Sequence, residues 1–302
     1  MTRSVEVKKV NIELHRNTAH IFEEENIELF NAFEQRSLTE RLEKSIETCK
    51  RRRICCDLAC GTGNLLEKEV FWFEQVVGLD LSREMLKICK AKGLGEKVHF
   101  LLADAENLPF RDDVFDIVTM HAALHHIPSP STCFKEIFRV LPEEGIMYID
   151  HESNSRHMRR PFEKVQGILG IMVRVHDRKH NLTGPKATRA LSLNGLVLTK
   201  PGLDGRILQH FFNSQLGKNP ITPTEYAMAD VHCAKGFFPR YFRKQLKSVG
   251  FNEAKTTYHN IFSSYFSILP VPLNELSLVD NLLDNLPLIR NFSTHICIWA
   301  KK

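Results

Sequence analysis

A chain of 302 residues with 43% hydrophobic and 25% charged residues can bury a full α/β core with room for an insertion, as a globular protein does. It carries no apolar run long enough to span a bilayer, and its basic N-terminus is followed by no apolar stretch of the secretory kind. The formal net charge is only +5, and the eight cysteines contain no C-x-x-C pair; this points to reduced thiols in a cytoplasmic protein rather than a disulfide framework.

In chain order, residues 1–50 read as an N-terminal helical cap. Ile21, Phe22, Ile27, Leu29, Phe30, Phe33, Leu38, Leu42 and Ile46 recur at mixed helical spacing among many acids over residues 18–47. Arg51, Arg52 and Arg53 make a solvated strand entry. Then comes Ile54-Cys55-Cys56-Asp57-Leu58-Ala59-Cys60-Gly61-Thr62-Gly63-Asn64-Leu65-Leu66, an apolar strand that ends in an acid, turns on small residues and opens a helix near Gly63. Gly61 and Gly63 let the backbone approach a ligand where a Cβ would collide with it. Ligands of open α/β sheets bind at such strand ends. A dinucleotide fingerprint asks for a third glycine three residues after the second, and position 66 is Leu.

Residues 76–80 form a second apolar strand ending in Asp80, whose carboxylate can accept both ribose hydroxyls of an adenosine or serve as a turn acid. Ser82 caps the helix that follows, which carries Met85, Leu86 and Ile88. A third strand over 98–102 leads into Ala103-Asp104-Ala105-Glu106-Asn107-Leu108-Pro109-Phe110. A fourth, over 115–120, leads into His121-Ala122-Ala123-Leu124-His125-His126-Ile127, and a fifth covers 146–150.

This ordered series over residues 54–150 resembles the class I S-adenosylmethionine-dependent methyltransferases, in particular the type 11-like, small-molecule branch. Ala59 stands where that family's first motif has a glycine. The resemblance implies an α/β Rossmann-like, doubly wound sheet of about seven strands, mostly parallel with an antiparallel last strand, plus a helical lid. It implies S-adenosyl-L-methionine as cofactor, held by Asp57, Ala59, Gly61, Gly63, Asp80, Leu81, Asp104, Ala105 and His121, with Asp104 and the Ala105 backbone at the adenine. In related enzymes a leading helical segment closes the pocket, which would bring Phe30, Asn31, Glu34 and Gln35 near the cofactor or acceptor; packing on the sheet is the plainer reading of each. No metal is implied. Residues 51–150 would be the cofactor-binding half, 151–237 a basic insertion and acceptor lid, and 238–302 a C-terminal helix and last strands completing the sheet.

The insertion has eleven Lys/Arg against four Asp/Glu between His151 and His210, which suits an anionic acceptor or a merely solvated surface. Pro239 can open a helix that Gly250 closes. Residues 256–262 would be the sixth strand and 295–300 the antiparallel last one, with a leucine-rich helix over 276–288 between them.

A sulfonium donor carries its own electrophile, so the protein must align a nucleophile, exclude water and sometimes remove a proton. Candidate bases sit past the fourth and fifth strands: His125, His126 and His151, the last beside Glu152. The Leu124–Ile127 stretch also reads as a helix start with one buried, satisfied imidazole, and His121 as a residue that only lines the cofactor pocket. There is no Asn/Asp-Pro-Pro-aromatic motif after the fourth strand and no Pro-Cys pair, and the insertion has few aromatics for base stacking. A small-molecule or amphipathic acceptor is therefore favoured over nucleic acid, with peripheral membrane contact left open and oligomeric state undefined. The competing readings are a nucleic-acid methyltransferase docked through the insertion and an inactive cofactor-binding regulator.

Overall fold

The computed structural model describes residues 3–30, 32–155, 236–259, 293 and 295–302. Seven strands, β1 (Ile54–Leu58), β2 (Gln75–Asp80), β3 (Val98–Leu102), β4 (Ile117–His121), β5 (Ile146–Ser153), β6 (Glu253–His259) and β7 (His295–Lys301), form one sheet in the order β3-β2-β1-β4-β5-β7-β6. The first five are parallel, and β7 runs antiparallel between β5 and β6. This is the Rossmann-like sheet that the motif series implies.

Both faces are covered. Helices α7 (Pro130–Val140) and α8 (Pro239–Val249) bury Phe134, Ile137, Phe242 and Leu246 with Cys56, Val118, Met147 and Ile298. Helices α4 (Ala32–Glu47), α5 (Leu66–Glu69) and α6 (Arg83–Ala91) bury Leu38, Leu42, Ile46, Leu66 and Leu86 with Cys55, Val76, Ile117 and Tyr148. Cys55 and Cys56 fall in different clusters because successive strand side chains alternate faces. Each fully buried leucine or isoleucine of α4 contributes about 1.5–3 kcal/mol by the area removed from water. Ser82 accepts from the Met85 N–H and caps α6. At the far end of the chain, α8 opens on Pro239 and stops at Gly250 with φ 126°; a Cβ there would meet the Phe138 ring at 2.8 Å.

Three features differ from the sequence expectation, and one adds to it. Ahead of the apolar pattern over 18–47, the cap expected over residues 1–50 contains α1 (Arg3–Thr18), whose buried Val7, Asn11 and Leu14 make a stripe too polar to read as amphipathic. Helix α5, the one expected to open near Gly63, starts at Leu66 and is a single turn long. Strand β5 runs on to Ser153 across a register shift between Ile149 and Glu152, its continuation disguised by Asp150, His151 and Glu152 in succession. Strand β6 begins at Glu253, because its edge position exposes the charged residues that hid its start. Residues 156–235 and the leucine-rich 276–288 lie outside the described residues, so the lid and that helix do too.

Candidate active site

One cavity opens above the carboxyl ends of β1 to β4. Asp57, Ala59, Gly61, Asp80, Leu81, Asp104, Ala105 and His121 all line it, so eight of the nine residues expected at a cofactor surround a single space. Gly63 does not line it. Its φ is +95°, and a Cβ there would collide with Cys89 Sγ, so this glycine serves the close packing of the turn on α6. Gly61 has φ +54° and open space where a Cβ would stand.

The turn is strained as well as small. Ala59 and Ala122, at the ends of β1 and β4, have φ 52° and 49°, a left-handed conformation that side chains with a Cβ adopt at some cost. Asp80 holds the turn in place: its carboxylate accepts from the Gly61 N–H at 2.9 Å and the Ser82 N–H at 2.7 Å. Burial pushes its pKa up to about 6 against those hydrogen bonds. Asp57 is buried on the inner side, 3.4 Å from the Thr119 hydroxyl, which also donates to Glu69 at 2.6 Å. Burial first and the Glu69 charge second hold Asp57 protonated well above the usual carboxylate range.

The N-terminal helices roof this cavity. Lys8, Asn11 and His15 of α1, Phe22 of α2 (Phe22–Glu25) and Leu29 and Phe30 of α3 (Ile27–Phe30) line it. Lys8 pairs with Asp104 Oδ2 at 2.6 Å and also with Glu106. Asn11 donates to the His126 carbonyl at 3.3 Å. Sequence reasoning placed Lys8, Asn11 and His15 within the cap but singled out none of them, because the apolar pattern it followed starts at residue 18. Of the other cap residues considered, Phe30 lines the cavity, Gln35 accepts from Lys68 at 2.7 Å, and Asn31 lies outside the described residues.

The histidines divide among three environments. His126 lines the cavity, with His15 edge-on at 5.4 Å. His125 turns to Glu152, with Nδ1 3.0 Å from Oε2. That carboxylate also accepts from the N–H groups of Ala123, Leu124 and His125, so it anchors the loop after β4. His151 and Glu152 are therefore not a pair. His151, at φ 61°, joins a separate group with Glu34. His121 lines the cavity, and burial, helped by His151, drives its pKa down to about 3, so its ring is neutral at neutral pH.

Beyond β4 the polar residues meet each other. Arg41 on α4 donates from Nε to Asp150 Oδ2 at 2.8 Å and from Nη2 to Glu34 Oε1 at 2.6 Å. Tyr148 donates to Asp150 Oδ2 at 2.5 Å. Burial alone would raise both acids, but Arg41 holds each well below the ordinary carboxylate range. Among the described residues no cysteine is bonded to another.

Four buried polar atoms on the cavity wall have no hydrogen-bond partner: His15 Nδ1, Thr62 Oγ1, Asn64 Nδ2 and His121 Nε2. Unmatched donors and acceptors around an open-armed glycine suit a polar ligand with several hydrogen-bonding groups. Sheet order and site together define a Rossmann-like protein with a polar-walled pocket at its strand ends, where such sheets bind their ligands. The comparisons narrow that class. Residues 56–149 match the Methyltransf_11 family, a methyltransferase domain. The chain is 38% identical over 96 residues to a demethylmenaquinone methyltransferase of Lactobacillus johnsonii, covering 30% of this chain and 39% of that one. It is 38% identical over 127 residues to the enzyme of the same name from Lactiplantibacillus plantarum, covering 38% and 54%. A solved SAM-dependent methyltransferase of Thermotoga maritima shares the fold, with TM-score 0.51 and 13% identity over 97% of this chain and 99% of that one. Over that segment the chain is similar to methyltransferase domains. The alignments span about two fifths to a half of the curated relatives' length.

Proposed function

We propose that the protein transfers a methyl group from S-adenosylmethionine to a small or amphipathic metabolite by direct in-line displacement. The observation that carries this reading is the convergence of Asp57, Ala59, Gly61, Asp80, Leu81, Asp104, Ala105 and His121 on one cavity. The bound sulfonium supplies the electrophilic methyl, and the chain's residues bind and orient. The left-handed turn at Ala59 and Gly61 allows close backbone approach. Asp80 would take the ribose hydroxyls on the lone pairs left by Gly61 and Ser82, and Asp104 with Ala105 would face the adenine. Phe22, Leu29 and Phe30 exclude water and give the acceptor an apolar wall.

His126 is the candidate base, as the one of the three proposed histidines that lines the cavity. His125 keeps the preceding turn in place through Glu152 and acts as a positioning residue. His121, with its pKa near 3, is too weak a base for proton removal at neutral pH. The named relatives act on demethylmenaquinone, and an acceptor of that amphipathic kind suits the aromatic wall. The basic stretch proposed as an acceptor lid would favour an anionic group on it.

Incubating cell extract with the protein and deuteromethyl-labelled S-adenosylmethionine tests the reading by mass spectrometry. A labelled small molecule that vanishes with Asp80→Ala supports it. Label found on RNA would favour the nucleic-acid reading. Cofactor binding with no labelled product in any fraction would favour a regulator.

A further inference from the structure

A second constellation of polar side chains lies on the far half of the sheet. His151, His259 and His295 sit on β5, β6 and β7, three adjacent strands, with His295 paired in register to both His259 and Ser153. The rings of His151 and His295 stack at 3.7 Å, and His259 lies 5.8 Å from each. One nitrogen from each of the three falls within 4.8 Å of the others, and Glu34, His121 and His151 meet the same limit. His151 and His259 are buried, at 6% and 5% exposure.

Three features of this group are left without a structural purpose. His151 reaches it only through the irregularity in β5, at a φ of 61°, and bulges of this kind re-aim side chains beside functional sites. His259 Nε2 lies 2.8 Å from Asp150 Oδ1, and both of its ring nitrogens are buried without a hydrogen bond. A buried imidazole beside a carboxylate, with a nitrogen left for a ligand, is the arrangement found around metal-bound histidines. Charge points the same way. Asp150 and Glu34 are two buried carboxylates served by one guanidinium, Arg41. Asp150 accepts from Arg41 on Oδ2 and from the His151 N–H on Oδ1, with His259 Nε2 2.8 Å from that Oδ1, so this acid stands between the guanidinium and the histidines. The remaining buried negative charge favours a cation on the histidine side.

We propose that His151, His259 and His295 bind a divalent transition-metal ion of the zinc type, with Asp150 behind His259 and Glu34 beside His151. Neutral imidazoles suit zinc and its neighbours in the first transition row. Tetrahedral zinc with Zn–N of about 2.0–2.1 Å places its ligand atoms roughly 3.4 Å apart, so binding would draw together nitrogens that now lie within 4.8 Å of one another. Three protein ligands leave one position open. His121, whose ring is 5.4 Å from that of His151, separates the site from the cofactor cavity it lines. The site does not depend on methyl transfer.

The test uses the untagged full-length chain, stripped with a chelator and titrated with Zn2+ by calorimetry and with Co2+ by visible absorption. One equivalent per chain is expected, with the Co2+ bands of a tetrahedral nitrogen site. The His259→Gln and His295→Gln variants should each bind at least tenfold more weakly. No stoichiometric binding, or unchanged affinity in both folded variants, would overturn the proposal. If the variants fail to fold, X-ray absorption of the zinc-loaded wild type decides. A shell of imidazole nitrogens supports the site, and a shell containing sulfur assigns the metal to cysteines and overturns it.

Discussion

Two buried acids, one on each half of the sheet, are held in different ways. On the β1–β4 side, Asp80 bonds to backbone N–H groups of the turn it supports. On the β5–β7–β6 side, Asp150 takes one backbone N–H, that of the adjacent His151, and otherwise meets side chains drawn from α4, β5 and β6: it accepts from Arg41 and Tyr148, and His259 Nε2 lies 2.8 Å away. A carboxylate that organises local backbone leaves a contiguous trace in sequence. A carboxylate satisfied by distant side chains depends on each of them and leaves almost none.

The largest expected effect lies on the second side. Arg41→Met removes the guanidinium and leaves Glu34 and Asp150 buried without it. Breaking a buried pair in this way costs about 3–5 kcal/mol, read as a lower midpoint in chemical denaturation. Adding Asp150→Asn should restore part of that loss. If the single variant is as stable as wild type, the contrast between the halves fails.

That contrast also explains what was legible. The run from Ile54 to Leu66, the acids Asp80 and Asp104 and a mostly parallel sheet with an antiparallel last strand could be read because each motif is local and the fold fixes their succession. Helix α1 escaped because Asn11 occupies a buried position on its inner stripe. The group at Glu34, Arg41, Asp150, His151, His259 and His295 escaped because it joins four separate segments, and no spacing rule links them. His151 was picked out as a base, yet its neighbours could not be read from its place beside Glu152.

On the first side, Asp80→Asn should weaken S-adenosylmethionine binding by about ten- to a hundredfold, as loss of charge-assisted hydrogen bonds does. Its stability cost should be smaller than that of Arg41→Met, because an amide oxygen still accepts from Gly61 or Ser82. Calorimetric titration beside a denaturation curve separates the two effects. Equal losses in both would make Asp80 a purely structural acid.

The cluster under the turn gives a pH dependence. Burial pushes Glu69 from 4.5 up to about 7, against the hydrogen bond from Thr119. A raised acid favours the folded state while it keeps its proton. That contribution is complete below about pH 4.5 and is lost as pH rises through about 7. Glu69→Gln keeps an acceptor for Thr119 and cannot ionise. Wild type should therefore lose more stability than the variant between pH 5 and pH 8, and parallel melting curves would contradict a buried, protonated Glu69.

The smallest effects come from the strained turn itself. Ala59→Gly relieves about 1 kcal/mol of left-handed strain and adds a comparable entropy cost to folding, so the denaturation midpoint should barely move. Gly61→Ala reverses the situation, since its φ of +54° disfavours a Cβ although no atom stands within 4 Å of one. Its stability loss should also be about 1 kcal/mol. Cofactor affinity should fall at least tenfold, because the new methyl occupies space on the cavity wall that no protein atom uses. The difference between that small stability cost and the larger binding cost measures how closely the ligand approaches the backbone at Gly61.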